Sequence, residues 1–129
     1  MKVATHQRID PRLCGQPLLL EEGFSRVALT ATADMAVDET GLVHGGFVFG
    51  LADHAAMIAV NHPNVVLGGA EVKFLKPLRV GDALIAEARI GETTGKKRLV
   101  AVEVFNGPEK VFTGNFDCFV LDRHVLEGR

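Results

Sequence analysis

The chain has 129 residues, 47% hydrophobic and 23% charged, which allows one buried core and leaves no room for a second, so a single domain over residues 1–129 is expected. A formal net charge of -2 supplies no basic field, and neither nucleic acid nor an anionic membrane is expected as a partner. No long apolar run follows Lys2, and the longest mostly apolar stretch, residues 47–60, is interrupted by Asp53 and His54 and falls short of the roughly 20 residues of a membrane span; the expectation is a soluble, cytoplasmic protein.

Cys14 falls in a segment read as a loop and Cys118 in an apolar strand pattern, so both are expected as free thiols. Residues 24–35 (FSRVALTATADM) alternate apolar and small polar types and read as a first strand. Residues 38–41 (Asp-Glu-Thr-Gly) then read as a turn. Residues 46–60 are apolar on nearly every side, and their length and alanine content favour a helix that must be wrapped by other elements. The wrapper follows as strand-like runs at 65–75, 83–91, 97–105 and 110–121, divided by Pro77, Gly81, Gly95 and Asn106-Gly107-Pro108. In the last run Phe112, Phe116, Cys118 and Val120 share one parity, while Thr113, Asn115 and Asp117 share the other, so one face should be buried. The elements describe an α+β domain, a curved antiparallel sheet around one long central helix.

Asp53 stands near the middle of that helix among Phe49, Leu51, Ala56, Met57 and Val60. A carboxylate there pairs with His54 or an arginine, reaches solvent at a gap in the sheet, or serves as a base or nucleophile with a pKa adjusted by burial. His44-Gly45-Gly46 lies where the helix begins, so unpaired backbone N–H groups and the positive end of the helix dipole point outward together. Such a turn can stabilise an oxyanion, or it can be a simple entry to a helix. Gly46 and Asp53 are about 10 Å apart along the axis. If both act on one carbonyl they must come from different subunits, which makes the active unit at least a dimer. His54, about 100° round the helix from Asp53, is a neighbouring group at most. His6, His62 and His124 make no metal-ligand spacing, and no metal site is expected. No G-x-S-x-G elbow, P-loop, G-x-G-x-x-G or C-x-x-C pattern occurs.

The segment GLVHGGFVFGLADHAAMIAV with VVLGGAEVKFLKPLRVGDALIAEARI resembles the hotdog-fold acyl-CoA thioesterases, and within them the phenylacetate-pathway group. The likeness rests on His44-Gly45-Gly46, Asp53, and Phe74-Leu75-Lys76-Pro77 with Gly81-Asp82. It implies a hotdog fold with a five- or six-stranded sheet and hydrolysis of acyl-CoA thioesters at a dimer interface, in a homodimer or a dimer of dimers. Coenzyme A enters as part of the substrate, and no separate cofactor is implied. It also implies Asp53 as base or nucleophile, the Gly45 N–H as oxyanion donor and His44 as the group that orients the thioester. Gly46, Asp38, His54, Phe47 and Met57 are then expected around the substrate, with Leu51 as a further pocket wall. Asp38 stands where many members carry Asn, and Leu67 or Gly68 where a Ser or Thr is often found. The segment EKVFTGNFDCFVLDRHVL resembles acyl-CoA-sensing hotdog domains, including the ligand-binding part of a malonyl-CoA-responsive repressor, so a non-catalytic acyl-CoA binder is the alternative. A regulator would need a DNA-binding element, and the stretch before the first strand carries neither a helix-turn-helix nor a basic cluster. Hydratase chemistry on the same fold wants a catalytic His paired with an acid in a different arrangement. Among the basic residues, Lys73, Lys76, Arg79, Lys96, Lys97 and Arg98 are candidates for the CoA phosphates.

Overall fold

Asp10 precedes Pro11, and its carboxylate accepts a hydrogen bond from the Arg12 N–H; this cap starts a single helical turn, α1 (Pro11–Cys14). Cys14, expected in a loop, is the last residue of that turn. The computed structural model describes residues 1–129. Gly15, at φ 101°, ends the turn and leads into β1 (Gln16–Glu21). A tight turn at Gly23, φ 75°, folds β1 back onto β2 (Phe24–Thr30).

The sequence pattern marks one strand before the helix, and there are two. Gln-Pro-Leu-Leu-Leu-Glu has no period of two and contains a proline, which suits an edge strand and conceals it from a periodicity reading. The strand expected over 24–35 stops at Thr30. The Ala31 N–H bonds Asp82 O, the chain turns, and a 3₁₀ turn (Ala33–Met35) buries Met35. Inward burial of Met35 prolonged the alternation past the true strand end.

The central helix α2 (Gly45–Val60) starts one residue earlier than expected, with His44 at its N-cap. Small and apolar side chains round much of its circumference are buried, Leu51, Ala52, Ala55 and Ile58 completely. Asn61, in the left-handed region at φ 54°, closes it by donating its N–H to Met57 O. The Asn61 amide group then accepts from Ala4 N–H at 2.7 Å and donates to Lys2 O at 2.9 Å, tying the N-terminal segment to the helix end.

The rest of the sheet follows as β3 (Val65–Phe74), β4 (Ala83–Thr94), β5 (Lys97–Asn106) and β6 (Glu109–Val120). All pairings are antiparallel and the order is β1-β2-β4-β5-β6-β3. Six strands curved around one helix make the hotdog fold. On β6 the expected parity holds: Phe112, Phe116 and Cys118 are fully buried while Asn115 is exposed.

The two edges differ. Pro17 and a register shift between Pro17 and Leu19 blunt β1. Ten-residue β3 has β6 on one side and nothing on the other. Helix α2 packs chiefly on β2, β4 and β5 and more lightly on β6 and β3, so the side of the helix toward the β3 edge is the less covered one. No helix is long and apolar enough to cross a membrane.

Candidate active site

The candidate site residues fall on two parts of α2, its first turn and the middle of its less covered face. At the first turn, the backbone N–H of His44 bonds Met35 O at 2.9 Å, which aligns the entry, and the His44 side chain makes no cap. Gly45 and Gly46 are the first two helical residues, where amide groups have no acceptor within a helix. No other group of the chain accepts from them.

Local packing explains both glycines. A Cβ on Gly46 would come within 2.9 Å of His44 Nε2, so the imidazole lies directly over that backbone, and the same ring meets Phe47 edge-on at 6.0 Å. A Cβ on Gly45 would stand 3.3 Å from the Phe74 ring. Phe74 in turn packs edge-on against Phe112, with centroids 5.1 Å apart.

Beside Gly45 opens a groove of about 250 Å³, its walls including Val48, Phe74, Leu75, Lys76, Pro77 and Val111. Its far wall exists because the Leu75 and Lys76 N–H groups both reach Val111 O, at 2.8 and 3.3 Å, hooking the end of β3 over β6. Asp82 fixes the following turn by accepting from Arg79 N–H at 2.8 Å, with Gly81 at φ 98°. The Phe-Leu-Lys-Pro motif thus builds the groove wall and the Gly-Asp motif fixes the turn that follows it, roles their sequence alone does not disclose.

Asp53 lies eight residues beyond Gly45, about 12 Å along the axis. It is half-buried, and its Oδ1 is enclosed without a hydrogen-bond partner. Neither His54 nor an arginine pairs with it. Burial pushes its pKa up to about 6, because a low-dielectric surrounding penalises the charged form. Phe49, one turn earlier, lies against Phe116 of β6 at 5.4 Å. The Cys118 thiol, fully buried on the same strand, is pushed up to about 12 by burial and secondarily by the Asp53 charge. Asp53 therefore looks toward β6 and the open β3 side.

One turn before it, Gly50 is the third helical glycine, and here nothing lies within 4 Å of where a Cβ would be. A glycine inside a helix costs about 0.5–1 kcal/mol relative to alanine, and no contact within the chain requires this one.

The remaining expected residues separate. His54 is 2% exposed and its Nδ1 bonds Cys14 O at 3.0 Å, which makes that nitrogen the donor. Its ring faces His6 at 6.2 Å in a cavity under the N-terminal segment, away from Gly45 and its groove. Burial and the mutual charge lower the pKa of His6, and burial lowers that of His54. His54, expected around the substrate, is thus on the α1 side of the helix, about 100° round from Asp53. Asp38, also expected there, is exposed. Its Oδ1 accepts from Thr40 N–H at 2.9 Å and from the Thr40 hydroxyl at 2.6 Å, closing an exposed turn rather than lining the groove. Those bonds hold its pKa below the usual carboxylate value. Met57 and Leu51, expected as pocket walls, are core residues, 1% and 0% exposed. Phe47 stays half-buried beside His44.

The sequence pattern of the Thioesterase superfamily matches residues 40–113, more than half of the chain, and the chain belongs to that superfamily. An uncharacterized protein from Pyrococcus horikoshii, solved as a crystal structure, is 53% identical over 98% of this chain and 97% of its own, with a TM-score of 0.96. The Escherichia coli PaaI protein from the phenylacetic acid degradation operon is 28% identical, covering 81% of each chain with a TM-score of 0.74. Among curated relatives, a protein named methylthioribose-1-phosphate isomerase from Aquifex aeolicus is 52% identical over 123 residues, 95% of this chain but 27% of that protein. The transcription factor FapR of Caldanaerobacter subterraneus is 29% identical over 122 residues, 94% of this chain and 61% of its own. The chain thus spans about a quarter and three fifths of those two relatives.

Proposed function

We propose that the protein hydrolyses acyl-CoA thioesters in a homodimer, with each site built from the helix start of one subunit and Asp53 of the other. The observation that carries this reading is the enclosed, unpartnered Asp53 Oδ1 on the open side of a helix whose first two N–H groups are also free. A buried carboxylate without a partner is a persistent cost to a fold, and a pKa of about 6 leaves it ionised at neutral pH and basic enough to take a proton. About 12 Å separates it from Gly45 on the same helix, too far for one reacting carbon to meet both. The unpaired β3 edge offers the means: two copies joining along β3 extend the sheet and bring two α2 helices side by side.

In this site the thioester carbonyl oxygen accepts from the Gly45 N–H, with the helix dipole favouring the negative charge that develops there. Asp53 of the other subunit removes a proton from water as its oxygen bonds the carbonyl carbon, or attacks that carbon itself. Collapse of the tetrahedral species breaks the C–S bond, and the thiolate leaves and takes up a proton. On the second route the acyl group is left on Asp53 as a mixed anhydride, which a water molecule then hydrolyses to free the acid and restore the carboxylate; by either route the products are a carboxylic acid and free CoA. His44, over Gly46, borders the entry to the carbonyl site.

The groove beside Gly45 suits the slender arm of CoA, with Lys76 on its wall. Of the basic candidates, Lys96 and Lys97 are bound to Asp122 and Asp117 at 3.1 and 3.5 Å, and Arg98 to Gly95 O at 2.7 Å. Lys73, Lys76 and Arg79 form no ion pair and lie on the segment that walls the groove, so they are assigned to the phosphates.

The isomerase name of the Aquifex relative is not carried over, since this chain matches 27% of that protein. A second reading, an acyl-CoA binder without turnover, draws support from the FapR likeness and from Leu67 and Gly68, which put no hydroxyl on β3 near the site. Thiol release from short, long and aromatic acyl-CoAs, run beside Asp53→Ala and calorimetric CoA titration, separates the two. Turnover lost in the variant supports the hydrolase; tight binding without turnover in the parent leaves the binder.

A further inference from the structure

We infer that Gly50 sets the acyl-chain preference of this site, with the acyl carbons next to the thioester carbonyl crossing α2 over that bare turn; the inference rests on the acyl-CoA reading above. Gly46, Gly50 and Asp53 stand at i, i+4 and i+7 and share one face of the helix. Gly46 is explained by the His44 ring above it, and Gly45 by Phe74. Gly50 has no such neighbour: a Cβ there would meet nothing within 4 Å, although alanine serves a helix interior better. This chain's own packing therefore leaves that space open and gives no reason for the glycine.

The position of that space selects what fills it. Gly50 is three residues from Asp53, about 4.5 Å along the axis, the span of a few bonds from a carbonyl held at the carboxylate. The enclosed Oδ1 of Asp53 marks the same face as the one where the reacting group arrives. Phe47 stands one turn earlier, Phe49 is adjacent and turned onto Phe116, and partly buried Leu67 belongs to the neighbouring β3. None of these three side chains is charged or an amide, which suits hydrocarbon and not the amide-bearing arm or the phosphates of CoA. A methyl group on residue 50 takes up part of that open space, and an isopropyl group takes up more.

The test compares the parent with Gly50→Ala and Gly50→Val on acetyl-, butyryl-, hexanoyl- and decanoyl-CoA, with melting curves and light scattering on the same samples. The expected result is a graded loss with chain length. Acetyl-CoA turnover stays within about threefold in Gly50→Ala, while the hexanoyl-to-acetyl ratio of kcat/KM falls about tenfold or more in Gly50→Val, as a misfit of one or two methylenes in an apolar pocket gives. Gly50→Ala should melt no lower than the parent, which removes misfolding as the cause. A length profile parallel to the parent's, or a uniform loss on every substrate, overturns the inference. So does dissociation of the variants to monomers, because the space would then belong to the second copy. If the parent turns over none of the four, hydrolysis fails as a reading, and dissociation constants for the same acyl-CoAs test the role of that space by the same shift.

Discussion

The two sides of helix α2 obey different rules. On the side of β2 and the N-terminal segment every polar group is answered: buried Ser25 donates to Ala55 O at 2.6 Å, His54 to Cys14 O at 3.0 Å, and Asn61 holds both Ala4 and Lys2. On the side of β6 and the β3 edge, the Asp53 Oδ1 is enclosed without a partner and Gly50 faces empty space. One side holds the helix; the other leaves open space and an unmade hydrogen bond, which the proposed site fills with a second copy and a substrate. Substitutions on the first side should change stability and spare chemistry, and those on the second should do the reverse.

The largest effect is expected at Asp53. Asp53→Asn keeps shape and volume and removes the base, so turnover should fall on the order of 10²–10⁴-fold, read as thiol release at saturating substrate. With an Asp53 pKa of about 6, kcat/KM of the parent should rise with pH through about 6 and level above it. An unchanged rate in Asp53→Asn would end the proposed mechanism.

His54→Ala comes next, on the satisfied side. Removing a fully buried ring and leaving Cys14 O without its donor should destabilise by about 2–4 kcal/mol, measured by urea unfolding. The rate per folded molecule should stay close to the parent's. A selective loss of kcat with normal stability would return His54 to the substrate site.

A smaller effect concerns the stability of Asp53 itself. Burial raises the folded pKa to about 6 from the ordinary carboxylate value of 3.8, so between those pH values the folded chain binds more protons than the unfolded one. Stability contributed by the neutral acid is present below pH about 4 and is lost as pH rises through about 6. Allowing for partial exposure, the penalty at neutral pH is on the order of 2 kcal/mol. Asp53→Asn should therefore melt higher than the parent at pH 7 and nearly level with it at pH 4, an activity-killing change that stabilises.

Ser25→Ala should show the smallest change. The Ala55 carbonyl lies within α2 and keeps its helical partner, so about 1 kcal/mol is expected, with turnover unaffected.

Much of this contrast was legible in the sequence. A carboxylate among Phe49, Ala56, Met57 and Val60 announced a buried charge, and two glycines at the helix start announced free amides. The four later strands stood out because Pro77, Gly81, Gly95 and Gly107 punctuate them, and their bounds are within a few residues of those observed. Strand β1 did not, since an edge strand with Pro17 and three consecutive leucines carries no alternation. The partner of His54 is 40 positions away, a separation that local reading cannot bridge. The groove wall at Phe74–Pro77 was legible as a motif and not as a surface, because its shape depends on Val111 O across the sheet. Nor does any local pattern tell that β3 is an edge; that follows from strand order.

The shared site is tested most directly by mixing two inactive chains. Asp53→Ala loses the base, and Gly45→Val obstructs the helix-start donor, so each homodimer should be inactive. Co-refolded in equal amounts, they form mixed dimers in which one site combines the intact Gly45 of one chain with the intact Asp53 of the other. Random pairing should restore about a quarter of the parent's thiol release. No activity above that of the separate variants, with light scattering confirming that mixed dimers formed, would contradict a site shared between subunits.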